Sequence, residues 1–132
     1  MEACLTHIDT NYVCIQLINE SSKTFHKLMD KATNKYLTDK SIKCKTEFIN
    51  ENLNRMYFLV DEESEKLLRA RVQKFSKSGE AYLVDIGSKI NILNKTVIFA
   101  ETLGTILSTY PDQVRETFFF NEDYNESYKV KS

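Results

Sequence analysis

The alternation of apolar and polar positions in the first third of the chain predicts a β-hairpin followed by a helix. Residues 3–8 and 12–18 are rich in apolar side chains, and Asp9-Thr10-Asn11 between them is typical of a tight turn. Apolar residues then recur three and four positions apart, which predicts a helix over 21–37 with one buried face. The members of that face are Phe25, Leu28, Met29, Ala32 and Tyr36.

A polar connector at 39–55 separates this helix from a run of short strand patterns. An acidic loop, a Gly79 turn and a bend at Gly87 divide the run into segments of four to nine residues. Four short strands joined by short turns predict a small barrel. The predicted strands are 56–60, 67–75, 81–85 and 90–93.

The pattern beyond the barrel predicts a short helix at 97–107, which Pro111 prevents from continuing. Residues 114–120 then predict a returning strand. The polar tail at 121–132 is expected to fray.

Composition and charge narrow the function. With 132 residues, 42% apolar and 28% charged, the chain can build an ordinary core, which argues against disorder of the whole chain. A net charge of −1 makes a general nucleic-acid binder a poor hypothesis. No apolar run is long enough to cross a membrane, and we expect neither a signal peptide nor membrane association.

The candidate chemistry does not assemble into a catalytic or metal-binding motif. The three cysteines lack CxxC spacing, and the two histidines, His7 and His26, have no spaced partner that would suggest a metal site. We therefore predict a protein that is not an enzyme and needs no cofactor and no metal.

Two segments of the predicted barrel resemble the Tudor family. Leu67-Leu68-Arg69-Ala70-Arg71-Val72 is similar to its W-Y-R-A-x-V motif, and Leu83-Val84-Asp85-Ile86-Gly87-Ser88 is similar to F-V-D-Y-G-N. Pro111-Asp112-Gln113-Val114 resembles the P-x-Q-A element that follows the barrel. The hairpin and helix at 3–38 look like the partial nuclease-like portion of an extended Tudor domain.

This resemblance implies a mainly β fold with helices, in which a small Tudor-type β-barrel joins a partial staphylococcal-nuclease-like, OB-type portion. It implies a single extended Tudor domain over residues 3–120. Its parts would be a nuclease-like hairpin and helix at 3–38, a connector at 39–55, the barrel at 56–95, and a helix with a return strand at 96–120.

In this family, four aromatic residues and an asparagine form a cage for methylated arginine, typically in the N-terminal tails of PIWI-clade Argonautes. In this chain, the residues at the corresponding positions are neither aromatic nor asparagine. Aliphatic side chains lack the quadrupole that attracts a methylated cation, so the resemblance implies a degenerate aromatic cage. The residues at the cage positions are Asp61, Leu68, Leu83, Ile86 and Ser88.

We therefore expect a non-catalytic module that binds an arginine-containing peptide, either independently of methylation or with a preference for the unmethylated form. A bare guanidinium favours planar carboxylates. Candidates that could supply them are Asp61, Glu62, Glu63, Glu65 and Asp85. Asp85 has an alternative role, because in the family this residue largely braces the turn.

Two alternative functions stay open from the sequence. One is homotypic scaffolding by self-association, and the other is single-stranded RNA binding by the OB-type half through the row of helix lysines. The resemblance also implies a role in the germline piRNA pathway of RNA silencing, and a cytoplasmic location that includes germ granules (nuage).

Overall fold

The computed structural model describes residues 2–44, 46–75, 79–119 and 128–130. In these ranges the strands form two antiparallel sheets, with orders β1-β2-β8-β9 and β6-β5-β4-β3-β7. The strands are β1 (Glu2–Ile8), β2 (Tyr12–Ile18), β3 (Met56–Val60), β4 (Leu67–Lys74), β5 (Glu80–Leu83), β6 (Lys89–Asn91), β7 (Val97–Phe99), β8 (Val114–Phe119) and β9 (Tyr128–Val130). The helices are α1 (Glu20–Thr38), α2 (Thr46–Glu51) and α3 (Ile106–Thr109), with a 3-10 turn at Ala100–Leu103.

The long helix α1 begins at a capping box. The Asn19 side chain accepts a hydrogen bond from the Ser22 amide, and the Ser22 hydroxyl oxygen accepts one from the Asn19 amide, both at 2.9 Å. One face of the helix is buried against the barrel through the apolar residues that define its periodicity. This face contains Phe25, Met29, Ala32 and Tyr36.

Strand β3, which lies between β4 and β7, is buried along its whole length because both of its faces are covered. Met56, Phe58 and Val60 belong to the apolar cluster shared with α1. Tyr57 and Leu59 point the other way, into the interior of the barrel. The barrel and the helix therefore form one continuous core with β3 as its wall.

The segment predicted as a helix at 97–107 differs in the structure. Val97–Phe99 pairs with β3 as strand β7, and the chain then makes the 3-10 turn and the single turn of α3. Three consecutive β-prone residues beside an open edge of β3 gain more from sheet pairing than from helix formation. Gly104, with a φ of +134°, separates the 3-10 turn from α3.

Two further differences concern the connector and the tail. The polar connector contains the short helix α2, which buries Ile49 against the barrel interior. Tyr128–Val130 pairs with β8, where the sequence predicted a frayed tail; the rest of that tail lies outside the described residues. In the described part of the chain, no helix is long and apolar enough to cross a membrane.

The turn after β5 joins the two sheets. The Thr6 hydroxyl donates to the Ile86 carbonyl at 2.7 Å, and the Gln16 side-chain amide donates to the Asp85 carbonyl. Gly87 adopts a φ of +99°, and a Cβ at this position would lie 2.4 Å from the Cys14 Sγ atom. A residue without a side chain is therefore required for the barrel to approach β2 this closely.

We predict that Gly87→Ala destabilises the protein more than Gly104→Ala does. Both changes place an alanine at a positive φ, which costs about 1–3 kcal/mol. Only Gly87→Ala also creates a steric overlap, with a further cost of about 1–3 kcal/mol, since a Cβ at Gly104 meets no atom within 4 Å. Urea unfolding of both variants measures the difference, and equal losses would contradict the close approach of the two sheets.

We also predict that stability falls as the pH rises from about 10 to 12. Tyr57 is fully buried, and burial raises the pKa of its phenol from 10.0 to about 12. Between these values the unfolded chain loses this proton while the folded chain retains it, so unfolding becomes more favourable. Tyr57→Phe loses only the hydroxyl that donates to the Asn52 carbonyl. When the free energy of unfolding is measured from pH 10 to 12, we expect this variant to lack the part of the decrease that Tyr57 causes.

Candidate functional site

A buried arginine organises the region around the predicted site. The Arg69 side chain uses all five of its N–H donors. Its Nε and one Nη2 hydrogen bind the two carboxylate oxygens of Asp85, at 2.8 and 2.5 Å. The remaining donors bind the carbonyls of Leu107, Tyr110 and Pro111, at 2.7 to 3.0 Å.

The carboxylate of Asp85 is fully engaged in this network. Besides the bidentate pair with Arg69, its Oδ1 accepts a hydrogen bond from the Gln113 amide at 3.0 Å. Of the two roles expected for Asp85, the structure therefore places it in the bracing one, because both of its oxygens are already bound within the protein. That Asp85 also receives a peptide guanidinium stays a prediction.

Three of the residues at the cage positions lie together. Leu83 is buried in the apolar cluster of the barrel interior, and the half-buried Leu68 and Ile86 pack against the same cluster. Their neighbourhood follows from the strand register, which places Leu83 opposite Ala70, two residues along β4 from Leu68. The fourth, Ser88, accepts a hydrogen bond from the Leu83 amide through its carbonyl at 2.9 Å.

The acidic loop between β3 and β4 stands at the end of this hairpin. The carboxylate of Asp61 accepts hydrogen bonds from the Ser64 hydroxyl, at 2.9 Å, and from the Glu63 amide, at 3.3 Å, which closes the loop. Glu65 forms an ion pair with Lys40 at 3.7 Å. Glu62 is exposed, and we find no ion pair for it in the described part of the chain.

A cleft of about 210 Å³ separates α1 from the start of β4 and the turn after β5. Leu68 and Ile86 form part of its barrel side, and Asp30 lines it from the helix. Across the cleft entrance, the Thr33 hydroxyl oxygen accepts a hydrogen bond from the Leu67 amide at 3.3 Å. The cleft therefore lies between α1 and the barrel, and its lining combines aliphatic residues on the barrel side with polar and charged residues.

Asp30 is the residue of this cleft that sequence reasoning missed. It follows the buried Met29 on α1 and is itself exposed, so its carboxylate flanks the apolar face of the helix. A charged residue at the edge of a helical apolar face is the signal that could have pointed to it. His26 and Lys66 also line the cleft, so its charge is mixed.

The phenyl ring that lines the cleft is not available to a ligand cation. Phe25 is buried, and the guanidinium carbon of Arg69 lies 4.7 Å from its ring centroid. The protein therefore uses this aromatic face for its own cation–π contact. A ligand entering the cleft meets Leu68, Ile86 and polar groups.

The comparisons with known proteins identify the fold. No protein-family model and no curated protein sequence matches this chain. Among solved structures it is similar to an Asp-to-Ala variant of the Drosophila melanogaster Papi extended Tudor domain in complex with an unmethylated Piwi N-terminal peptide, with 17% identity and a TM-score of 0.66. The match covers 90% of this chain and 58% of the Papi chain.

Two further structures give the same result. The complex of the same Papi variant with the symmetrically dimethylated Piwi peptide matches with 17% identity and a TM-score of 0.64, over 90% of this chain and 59% of the other. The Drosophila melanogaster Tudor-SN extended Tudor domain matches with 17% identity and a TM-score of 0.63, over 94% and 59%. The fold predicted from the sequence, that of an extended Tudor domain, is confirmed, and the chain spans about three fifths of the length of these solved chains.

We predict that Arg69→Met destabilises the protein by about 3–5 kcal/mol, because it leaves the Asp85 carboxylate buried without its partner. The matched control is Arg71→Met on the same strand. Arg71 pairs with Asp112 at 3.3 Å with both side chains about 40% exposed, so its loss is expected to cost about 1 kcal/mol or less. Denaturant unfolding measures both, and comparable effects would show that Arg69 does not hold this region together.

Proposed function

We propose that the protein is a peptide-binding module whose cleft takes an arginine side chain without requiring its methylation. The partner we propose is the arginine-containing N-terminal tail of a PIWI-clade Argonaute. This role is non-catalytic, and it belongs to RNA silencing in the cytoplasm of germ cells, germ granules included.

The observation that carries the proposal is the composition of the cleft wall. Leu68 and Ile86 occupy positions where the family resemblance expects aromatic rings, and Phe25 is already covered by Arg69. A dimethylated guanidinium depends on aromatic faces because methylation removes hydrogen-bond donors while retaining the charge. An aliphatic cleft gives it no such compensation.

An unmethylated guanidinium has a suitable acceptor in the same cleft. The exposed carboxylate of Asp30 lines the cleft from α1, together with Leu68 and Ile86 of the barrel side. Glu62 is a second exposed carboxylate, in the loop that precedes β4. A carboxylate binds the planar guanidinium through paired, charge-assisted hydrogen bonds. The aliphatic stem of the arginine can then lie along Leu68 and Ile86.

The solved complexes support the class of ligand. An Asp-to-Ala variant of the Papi extended Tudor domain has been crystallised with an unmethylated Piwi peptide and with its dimethylated form. These two complexes support an arginine peptide as the class of ligand. At 17% identity the residues that contact the peptide are not transferable, so our assignment rests on the residues of this cleft.

The test is a calorimetric titration with one arginine-rich peptide in unmethylated, symmetrically dimethylated and lysine-substituted forms. We expect the unmethylated form to bind at least as tightly as the dimethylated form. The lysine form should bind more weakly, because an ammonium cannot form the bidentate pair. Tighter binding of the dimethylated form would overturn the proposed preference.

The residue-level prediction concerns Asp30→Lys. This reversal places a cation where the guanidinium is expected, and we expect binding of the unmethylated peptide to weaken by about tenfold. Glu47→Lys makes the same charge change at an exposed site on α2 outside the cleft and is expected to leave affinity within about twofold. Equal effects of the two variants would show that the peptide responds only to overall charge.

A further inference from the structure

A second groove, of about 360 Å³, lies on another side of α1. The C-terminal half of the helix forms one wall through Leu28, Lys31 and Lys35, and the segment from the 3-10 turn to α3 forms the other. None of its lining residues lines the arginine cleft. Its size is within the range of ordinary ligand pockets, so it can accept a side chain of a partner.

The groove presents apolar surface to solvent. Ile106 is 61% exposed at its rim, and Leu28 and Leu103 are only partly buried. Gly104 lies beside Leu103, and a Cβ there would meet no atom within 4 Å, so this point of the wall is open. An apolar side chain of a ligand could therefore enter without displacing any residue that the structure describes.

The charged side chains that line the groove beside this apolar surface are all positive. Lys31 and Lys35 are exposed and lie one helical turn apart, and neither forms an ion pair with any residue that the structure describes. No carboxylate lines the groove. The nearby Glu101 of the 3-10 turn is bound to Arg55, at 2.8 Å between Oε1 and Nη2.

We propose that this groove docks an acidic peptide segment that carries a bulky aliphatic anchor residue. The anchor would pack against Leu28, Leu103 and Ile106, and flanking carboxylates would pair with Lys31 and Lys35. The aliphatic anchor matches the apolar wall of the groove, and this contact supplies affinity. The carboxylates match the two lysines, which select a negatively charged ligand and fix its orientation. The partner is thus opposite in charge to the arginine peptide of the cleft, and the proposal does not depend on that cleft.

The chemistry of the walls favours a peptide over a single-stranded nucleic acid. Nucleic-acid strands are bound through aromatic platforms on which bases stack. The one phenyl ring that lines this groove belongs to Phe58, which is fully buried. Two lysines beside an aliphatic wall provide charge pairing without a stacking surface.

The experiment is a fluorescence-anisotropy titration with a short labelled peptide in which two leucines are flanked by glutamates. Three comparison probes are a peptide with serines in place of the leucines, a peptide with lysines in place of the glutamates, and a uridine-rich RNA of similar length. We expect the acidic leucine peptide to bind most tightly. Loss of either feature should weaken binding by about tenfold or more.

Matched variants locate the site. We expect the double variant Lys31→Glu with Lys35→Glu to weaken peptide binding by at least tenfold. The control, Lys23→Glu with Lys27→Glu, makes the same charge change on the same helix outside the groove. We expect this control to change binding by about twofold or less. Ile106→Ser tests the apolar contact at a residue exposed enough to leave the fold intact, which thermal unfolding of each variant verifies.

Three results would overturn the proposal. They are absence of binding by the acidic leucine peptide, equal loss of binding in both lysine pairs, and tighter, steeply salt-dependent binding of the RNA, which would assign the lysines to phosphate contacts. Each is distinguishable from failure of the arginine site, because the acidic probe and the variants of this groove leave that cleft unchanged.

Discussion

The buried pair of Arg69 and Asp85 is the interaction on which the rest of this structure depends. Arg69 is 1% exposed, and a guanidinium in such a place is tolerated only when its charge and all of its donors are satisfied. Its partners come from the turn after β5 and from α3 with the residues that directly follow it. One side chain thus joins β4 to two segments that are distant from it in sequence.

This arrangement also determines where a ligand can enter. Because Asp85 is held by Arg69 and by the Gln113 amide, the turn that follows it is rigidly placed against β2, with Gly87 close to Cys14. Ile86 then faces the helix beside Leu68, and the cleft between the two halves results. The residue that resembles a ligand-binding acid is therefore bound within the protein as a brace, and Asp30 is an exposed carboxylate that lines the cleft.

Helix α1 separates two surfaces with different chemistry. On one side it contributes Asp30 to the cleft with the barrel, and on the other it contributes Lys31 and Lys35 to the groove with α3. A helix rotates by about 100° per residue, so neighbouring positions in the sequence reach different grooves. The two ligands that we propose for these surfaces therefore have opposite charge.

The sequence by itself determined the two-part architecture. The periodicity of the hairpin, of α1 and of the barrel strands is visible within short stretches of sequence. The Arg69-Ala70 and Asp85-x-Gly87 motifs identified the barrel because their order and spacing resemble those of a Tudor barrel. Only the tertiary structure decided that Val97–Phe99 is a strand, since a short apolar run fits either state until a free strand edge is beside it. The same holds for the hydrogen bonds of Asp85 and for the position of Asp30 in the cleft, because both depend on how distant segments pack, and no spacing along the chain encodes that packing.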